Sequence, residues 1–235
     1  MKVPEKNGLE NIDVQAFQKA LQRRDFLRYT GYAGTALAAG SLIGLASCKD
    51  SNNNDDGVNF GSGDFAILNY AYALEQLEAA FYTQVIATPY SGMSGPEKSL
   101  LTDVRDHEVA HREFFKAALG SNAIQGLEVD FTSINFTSRY SVLNTAKAFE
   151  DLGVSAYNGA GRYIADGTYL LLAGKIVSVE ARHAAYIRDL LQNGSFADSS
   201  VINGDGLDTS RKPRAVIEIA KTYIKTKLNA SSLPA

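Results

Sequence analysis

Two short motifs in this chain combine residue types that can bind a metal ion. Glu108 and His111 are three residues apart, and the same Glu-x-x-His spacing returns at Glu180 and His183. Residues three apart lie on one face of an α-helix, so each motif presents a carboxylate and an imidazole side by side. Such a pair can chelate one metal ion from a single helical turn. The chain contains only three histidines, and two of them stand in this spacing, which indicates a functional role.

A second pattern precedes each motif. Glu75 is followed by Tyr82, and Glu150 by Tyr157, with a leucine two residues after each glutamate. The two Glu-x-x-His motifs begin 33 and 30 residues after these glutamates. This repetition predicts two helical hairpins related by a pseudo-two-fold axis, each with one single glutamate and one Glu-x-x-His motif.

Together the two halves offer four carboxylates and two imidazoles, which suit iron, manganese and, less selectively, zinc. We expect a bridging carboxylate from each of two helices to hold two cations, with each Glu/His pair terminating one of them. The positions share helix faces with Leu, Val and Phe, so we expect burial, which metal ions would compensate. The alternative interpretation is that they are solvated surface charges. The candidate ligands are Glu75, Glu108, His111, Glu150, Glu180 and His183.

A further acidic residue lies close to the first candidate ligand. Glu78 follows Glu75 by three residues, so it is either the ligand of the first helix or a neighbour in the second layer around the metal. The second half has Gly153 at the equivalent position. The repeat therefore favours Glu75 as the ligand.

Two tyrosines and one histidine are candidates for the surroundings of the site. Tyr82 and Tyr157 either donate hydrogen bonds to ligand carboxylates or are ordinary interior tyrosines. His107 directly precedes Glu108, so on a helix it points at least a quarter-turn away. We predict a surface or partner-contact histidine there rather than a ligand.

The hydrophobic pattern predicts an all-α chain. Asp64 is expected to be the N-cap of the first helix, and Pro96 suits the first turn of the second. Residues 120–140 are an irregular connection of the length that a four-helix bundle with one long crossover requires. The helices are predicted at about 64–87, 96–119, 142–164, 166–192 and 213–228.

This combination of motifs resembles the ferritin-like family, and within it the bacterial and plant proteins called ferritin-like or desiccation-related. The resemblance covers about residues 64–192, and all six ligand positions are filled. It implies a ferritin-like four-helix bundle with one long crossover, to which this sequence adds a short C-terminal helix. It also implies redox chemistry at a dinuclear metal site.

The N-terminal segment resembles an export signal. Arg23 and Arg24 precede Phe26 and Leu27, charge then disappears from residue 29 to 47, and small residues lead to Cys48. This resembles a bacterial twin-arginine signal peptide joined to a lipoprotein cleavage box, which implies a mature chain that starts at Cys48 and carries lipid there. The alternative is an N-terminal transmembrane anchor. The twin-arginine route often carries folded proteins with their cofactor inserted, which favours a bound metal.

These features divide the chain into four parts. We predict a signal peptide with lipobox at 1–48, a flexible tether at 49–63, a ferritin-like bundle at 64–194, and a loop with a C-terminal helix packed on the bundle at 195–235. The formal charge of −3 gives no reason to expect nucleic acid as a partner. With a single cysteine, neither an internal disulfide nor a cysteine-rich zinc site can form.

The leading hypothesis is a lipid-anchored protein of the bacterial cell envelope, periplasmic or surface-exposed. It would bind two metal ions, iron first and manganese next, and act as a ferroxidase or peroxide-detoxifying oxidoreductase on oxygen or peroxide. The alternative is a non-enzymatic stress or desiccation-related structural protein with a structural metal, such as zinc, or with none. A metal-free scaffold is a third hypothesis, and a homo-oligomer is left open.

Overall fold

The structure is a computed structural model that describes residues 56–235. The all-α fold with a short C-terminal helix is confirmed, since the only strands in this range are the two-residue, parallel pair β1 (Val58–Asn59) and β2 (Leu228–Asn229). The predicted signal peptide, the lipidation site at Cys48 and residues 49–55 of the predicted tether lie outside the described residues. The helices are α1 (Gly63–Ala87), α2 (Gly95–Leu119), α3 (Arg139–Ala160), α4 (Gly167–Leu191) and α5 (Pro213–Ala220).

The centre of the bundle is α1, which is buried along most of its length. It packs against α2 as one antiparallel hairpin, α3 packs against α4 as the other, and α1 also contacts α3. A helix that is apolar on nearly all sides belongs inside a protein, and α1 matches that description. Between residues 56 and 235, however, no helix is both long enough and apolar enough to cross a membrane.

Local signals in the sequence account for most helix starts. Ser94 and Glu97 form a reciprocal capping box at the start of α2, which satisfies two backbone N–H groups that a helix terminus leaves free. Asp64, the predicted N-cap of α1, does not have that role, because Ser62 takes the position. The carboxylate of Asp64 instead accepts hydrogen bonds of 2.8 Å from the backbone N–H groups of Ala165 and Asp166. It therefore ties the start of α1 to the start of α4.

The long connection between α2 and α3 is held by side chains of α1. The Asn69 amide donates to the carbonyl of Asn122 at 2.9 Å and accepts from the N–H of Ile124 at 2.9 Å. Further along, Gln76 Oε1 accepts from the N–H of Leu127 at 2.8 Å. These bonds satisfy backbone groups of a segment that lacks regular structure, and they fix the crossover along one side of the bundle.

The final helix is shorter than the sequence predicted. The expected helix at 213–228 ends at Ala220 and continues as a single 3₁₀ turn, Lys221–Tyr223. The backbone N–H of Lys225 donates to the carbonyl of Glu128 at 2.7 Å, and β2 then pairs with β1. Tertiary hydrogen bonds to the crossover and to the N-terminal strand thus replace the last helical turns.

Candidate metal centre

All six predicted ligands meet in the middle of the bundle. Their donor atoms form two overlapping groups, and within each group all atoms lie within 4.8 Å of one another. The groups are named site A, with Glu75, Glu108, His111 and Glu180, and site B, with Glu108, Glu150, Glu180 and His183.

The shared carboxylates are those of the Glu-x-x-His motifs. Glu108 and Glu180 belong to both sites, whereas the sequence led us to expect that each motif would terminate one metal position as a unit. Each motif histidine faces the glutamate of the opposite hairpin: His111 Nδ1 lies 2.9 Å from Glu180, and His183 Nδ1 lies 2.8 Å from Glu108. Each motif is therefore split, with its glutamate between the sites and its histidine at one of them.

The donor atoms are buried and make no hydrogen bond, although Nδ1 of His111 and Nδ1 of His183 form close ion-pair contacts of 2.9 and 2.8 Å with carboxylates. Both oxygens of Glu108 and Glu180, one oxygen each of Glu75 and Glu150, and Nδ1 of both histidines are in this state. Within residues 56–235 they are eight of the ten such side-chain atoms. Buried polar atoms almost always have a hydrogen-bond partner in proteins. Eight neighbouring atoms without one therefore indicate a site that binds a ligand such as a cation. Two divalent cations would offset the four carboxylate charges, and this donor set fits them.

Two tyrosines hold the outer carboxylates from across the bundle. Tyr82 on α1 donates a 2.5 Å hydrogen bond to Glu150 Oε1 on α3, and Tyr157 on α3 donates to Glu75 Oε1 on α1. In each case the other oxygen, Oε2, is among the buried atoms without a partner. The tyrosines therefore orient each outer carboxylate and leave one oxygen available to a cation.

Glu78 is a fifth buried carboxyl group beside the site. It belongs to neither group of donors, and only 4% of its surface is exposed. A Cβ atom at Gly153 would lie 3.3 Å from Glu78 Oε1 and 3.5 Å from Glu180 Oε2. The glycine on α3 thus leaves the space that the longer glutamate of α1 occupies.

Burial and mutual repulsion shape the acid–base state of the metal-free site. Burial, together with Glu108, raises the pKa of Glu75 to about 7 despite the nearby His111. Burial also opposes ionisation of Glu108, but the two histidines outweigh it and lower its pKa to about 2. For Glu180, burial and the surrounding carboxylates raise the pKa well above its ordinary value.

The histidines take up the positive charge that the carboxylates require. Burial alone would lower the pKa of His183, but Glu150 and Glu108 raise it to about 11. The pKa of His111 is raised as well, by Glu108, Glu180 and Glu75 against the effect of burial. A metal ligand must be deprotonated, so a cation that binds here displaces protons from both imidazoles.

His107 makes a contact with a candidate ligand that the sequence did not reveal. Its side chain is exposed, as predicted, and it belongs to neither donor group. Its Nδ1 nevertheless lies 2.9 Å from His183 Nε2, so it touches a candidate ligand. Helical spacing within α2 cannot show this contact, because it depends on how α4 packs beside α2.

Comparison with known proteins gives one family. The sequence profile described as the ferritin-like domain matches residues 63–193, which is more than half of the chain. The comparison with curated proteins gave no match.

Proposed function

The chain belongs to the ferritin-like domain family, and on this premise we propose that it binds a pair of iron or manganese ions at sites A and B and uses them for redox chemistry with oxygen or peroxide. The proposed activity is oxidation of Fe(II) or removal of peroxide. The observation that carries the proposal is the set of eight buried, unpartnered donor atoms contributed by six residues of four helices.

The chain's own residues would divide the work of binding. Glu108 and Glu180 would each contribute to both cations, since both belong to the two donor groups. His111 and Glu75 would complete site A, and His183 with Glu150 would complete site B. When bound, such a metal pair can donate electrons to oxygen or peroxide, which zinc cannot do.

The surroundings of the site favour this chemistry over simple surface chelation. The four ligand carboxylates are essentially inaccessible to water, and the apolar residues close to Glu75 in the sequence of α1, Leu74 and Leu77, are buried as well. In a dry site the attraction between carboxylates and cations is stronger than in water. The hydrogen bonds from Tyr82 and Tyr157 keep the outer carboxylates in place before a metal arrives.

We also propose that the protein acts at the bacterial cell envelope, anchored by lipid on Cys48. The support is the paired arginines, the uncharged stretch and the small residues that precede Cys48 in the sequence. Mass spectrometry of the chain expressed with its leader in a bacterium would test this. An unprocessed N-terminus and an unmodified Cys48 would contradict it.

The first test is metal analysis of the full chain purified without chelator. We expect about two iron or manganese ions per chain, as the family fold and donor set imply, and turnover of Fe(II) with oxygen or of peroxide. Glu108→Gln should abolish both binding and turnover, because Glu108 serves both sites. The matched control is Glu113→Gln on the same helix, whose carboxylate pairs with Arg112 at the surface.

Other outcomes of this measurement discriminate between the classes of function. Zinc alone, with no turnover after reconstitution with Fe(II) or Mn(II), would replace the proposal by a structural metal in a stress-related protein. Absence of metal even after anaerobic addition of Fe(II) would leave a ferritin-like bundle without metal chemistry.

A further inference from the structure

His107 and His183 form an in-plane pair of imidazoles. The two ring planes are 8° apart with centroids separated by 5.2 Å, while the facing nitrogens are only 2.9 Å apart. Facing nitrogens much closer than the centroids describe rings joined edge to edge by a hydrogen bond, not rings stacked on their faces. The N–H of one imidazole therefore donates a hydrogen bond to a ring nitrogen of the other.

The direction of this bond follows from what the other nitrogen of His183 faces. His183 Nδ1 lies 2.8 Å from Glu108 and 3.5 Å from Glu150, so Nδ1 is the atom that would bind a cation in site B. A ligand nitrogen must present its lone pair, so the proton of neutral His183 stays on Nε2. His183 Nε2–H then donates, and His107 Nδ1 accepts.

The repeat offers no such partner in the other half. His107 directly precedes Glu108, and the residue that directly precedes Glu180 is Val179. A valine side chain has no atom that can accept or donate a hydrogen bond. The repeat therefore gives the imidazole pair no counterpart, and the pair involves the ligand histidine of site B, His183, and not that of site A, His111.

We propose that His107 is a positioning residue, which selects the tautomer of His183 and fixes its ring so that site B binds its cation more tightly. This inference rests on the proposed metal-binding function and adds that the two sites are unequal. Hydrogen-bond partners of ligand histidines commonly change metal affinity by roughly 10- to 100-fold. Because His107 is exposed, its replacement should leave the fold intact.

The test is a titration of the metal-free full chain with Mn(II), with free Mn(II) followed by electron paramagnetic resonance. We expect His107→Leu to weaken one of the two Mn(II) equivalents by roughly 10- to 100-fold and to leave the other unchanged. His107→Asn, whose side chain can place an acceptor near the position of Nδ1, should restore most of the loss. Asp106→Ala is the control, because this exposed carboxylate pairs with Arg105 alone among the ion pairs of the described residues.

A second readout needs no metal. In the chain labelled with ¹⁵N-histidine, the hydrogen bond should give a scalar coupling between His183 Nε2 and His107 Nδ1. If the chain binds two Mn(II) ions but shows no such coupling when metal-free, the inference is overturned while the proposed metal binding stands. The same holds if wild type and His107→Leu bind both Mn(II) ions with the same affinities. Equal weakening of both equivalents would also overturn it. A coupling in a chain that binds neither Mn(II) nor Fe(II) would contradict the proposed function and, with it, the positioning role.

Discussion

The α1–α2 hairpin and the α3–α4 hairpin contribute the same residue types to the centre of the bundle, namely two glutamates, one histidine and one tyrosine each. Their neighbours differ. The first hairpin adds Glu78 and His107, and the equivalent positions of the second are Gly153 and Val179. Both additional polar groups of the site thus come from one half of the repeat.

This difference shows which part of the repeat the site constrains. A donor set for two cations needs matching carboxylates and imidazoles from both halves. The residues around the donor set need only to pack beside it and can differ between the halves. Gly153 makes room for Glu78, and His107 reaches across to the histidine of the other hairpin. The pseudo-two-fold axis therefore holds for the ligands and fails for the residues beside them.

The largest effect should be the difference between replacing a carboxylate that belongs to both sites and replacing one that belongs to a single site. Glu180→Gln should remove both metal ions, because Glu180 belongs to sites A and B, whereas Glu150→Gln should remove only the ion of site B. Metal content per chain, measured after dialysis against trace Mn(II), checks this. Equal losses in the two variants would show that the carboxylates are not divided in this way.

One of these variants, Glu180→Gln, should keep the stability of the metal-free chain although it loses the metal ions. Burial and neighbouring carboxylates raise the pKa of Glu180 well above its ordinary value, so its neutral replacement by glutamine should not destabilise the metal-free fold. Mn(II) should raise the melting temperature of the wild type, because a ligand that binds the folded state stabilises it. It should not raise the melting temperature of Glu180→Gln, because that variant should not bind Mn(II).

The metal-free chain should also lose stability as the pH rises. The pKa of Glu75 is raised to about 7 in the folded chain from 4.5, so its stabilising contribution is complete below pH 4.5 and is lost as the pH approaches 7. The loss from Glu75 alone is on the order of 3 kcal/mol. Urea unfolding at several pH values checks this.

Two variants and one addition sharpen the pH experiment. Glu75→Gln should flatten the decline between pH 4.5 and 7, and the surface control Glu113→Gln should leave it unchanged. Above pH 6.5 the raised pKa of His183, about 11, adds a further decline by the same sign rule. Saturating Mn(II) should oppose the trend, because deprotonated ligands bind cations. A metal-free chain that gains stability from pH 4.5 to 7 would contradict the buried cluster.

The smallest effect concerns the asymmetry between Glu78 and Gly153. A Cβ at Gly153 would lie 3.3 Å from the end of the flexible Glu78 side chain, so Gly153→Ala should displace that carboxyl group without breaking the helix. Helix propensity alone would stabilise the fold by up to about 1 kcal/mol. We therefore expect similar or higher thermal stability. We also expect Mn(II) affinity to fall by roughly a few-fold, less than the 10- to 100-fold caused by loss of a ligand's hydrogen-bond partner. A matched Gly174→Ala on the exposed part of α4, where an added Cβ meets nothing within 4 Å, should leave Mn(II) affinity unchanged.

Much of the fold could be predicted because its signals are local. The spacing of apolar residues and Pro96 in the first turn predicted α2 and α4 at 96–119 and 166–192, and they are observed at Gly95–Leu119 and Gly167–Leu191. The C-terminal helix was predicted too long because its end depends on hydrogen bonds to Glu128, a residue far away in the chain. The prediction that Asp64 caps α1 was wrong for the same reason. The partners of its carboxylate, Ala165 and Asp166, are about a hundred positions away in the chain.

The sequence by itself determined the two Glu-x-x-His motifs, their repeat and hence the six residues that meet in the bundle. Three residues apart on a helix means one face, and this relation needs no knowledge of the other helices. Only the tertiary structure decided that Glu108 and Glu180 are shared, that Tyr82 and Tyr157 reach across the bundle, and that His107 contacts His183. These contacts depend on the rotation and separation of neighbouring helices, which are set by how side chains pack across the whole bundle rather than by any spacing along one helix.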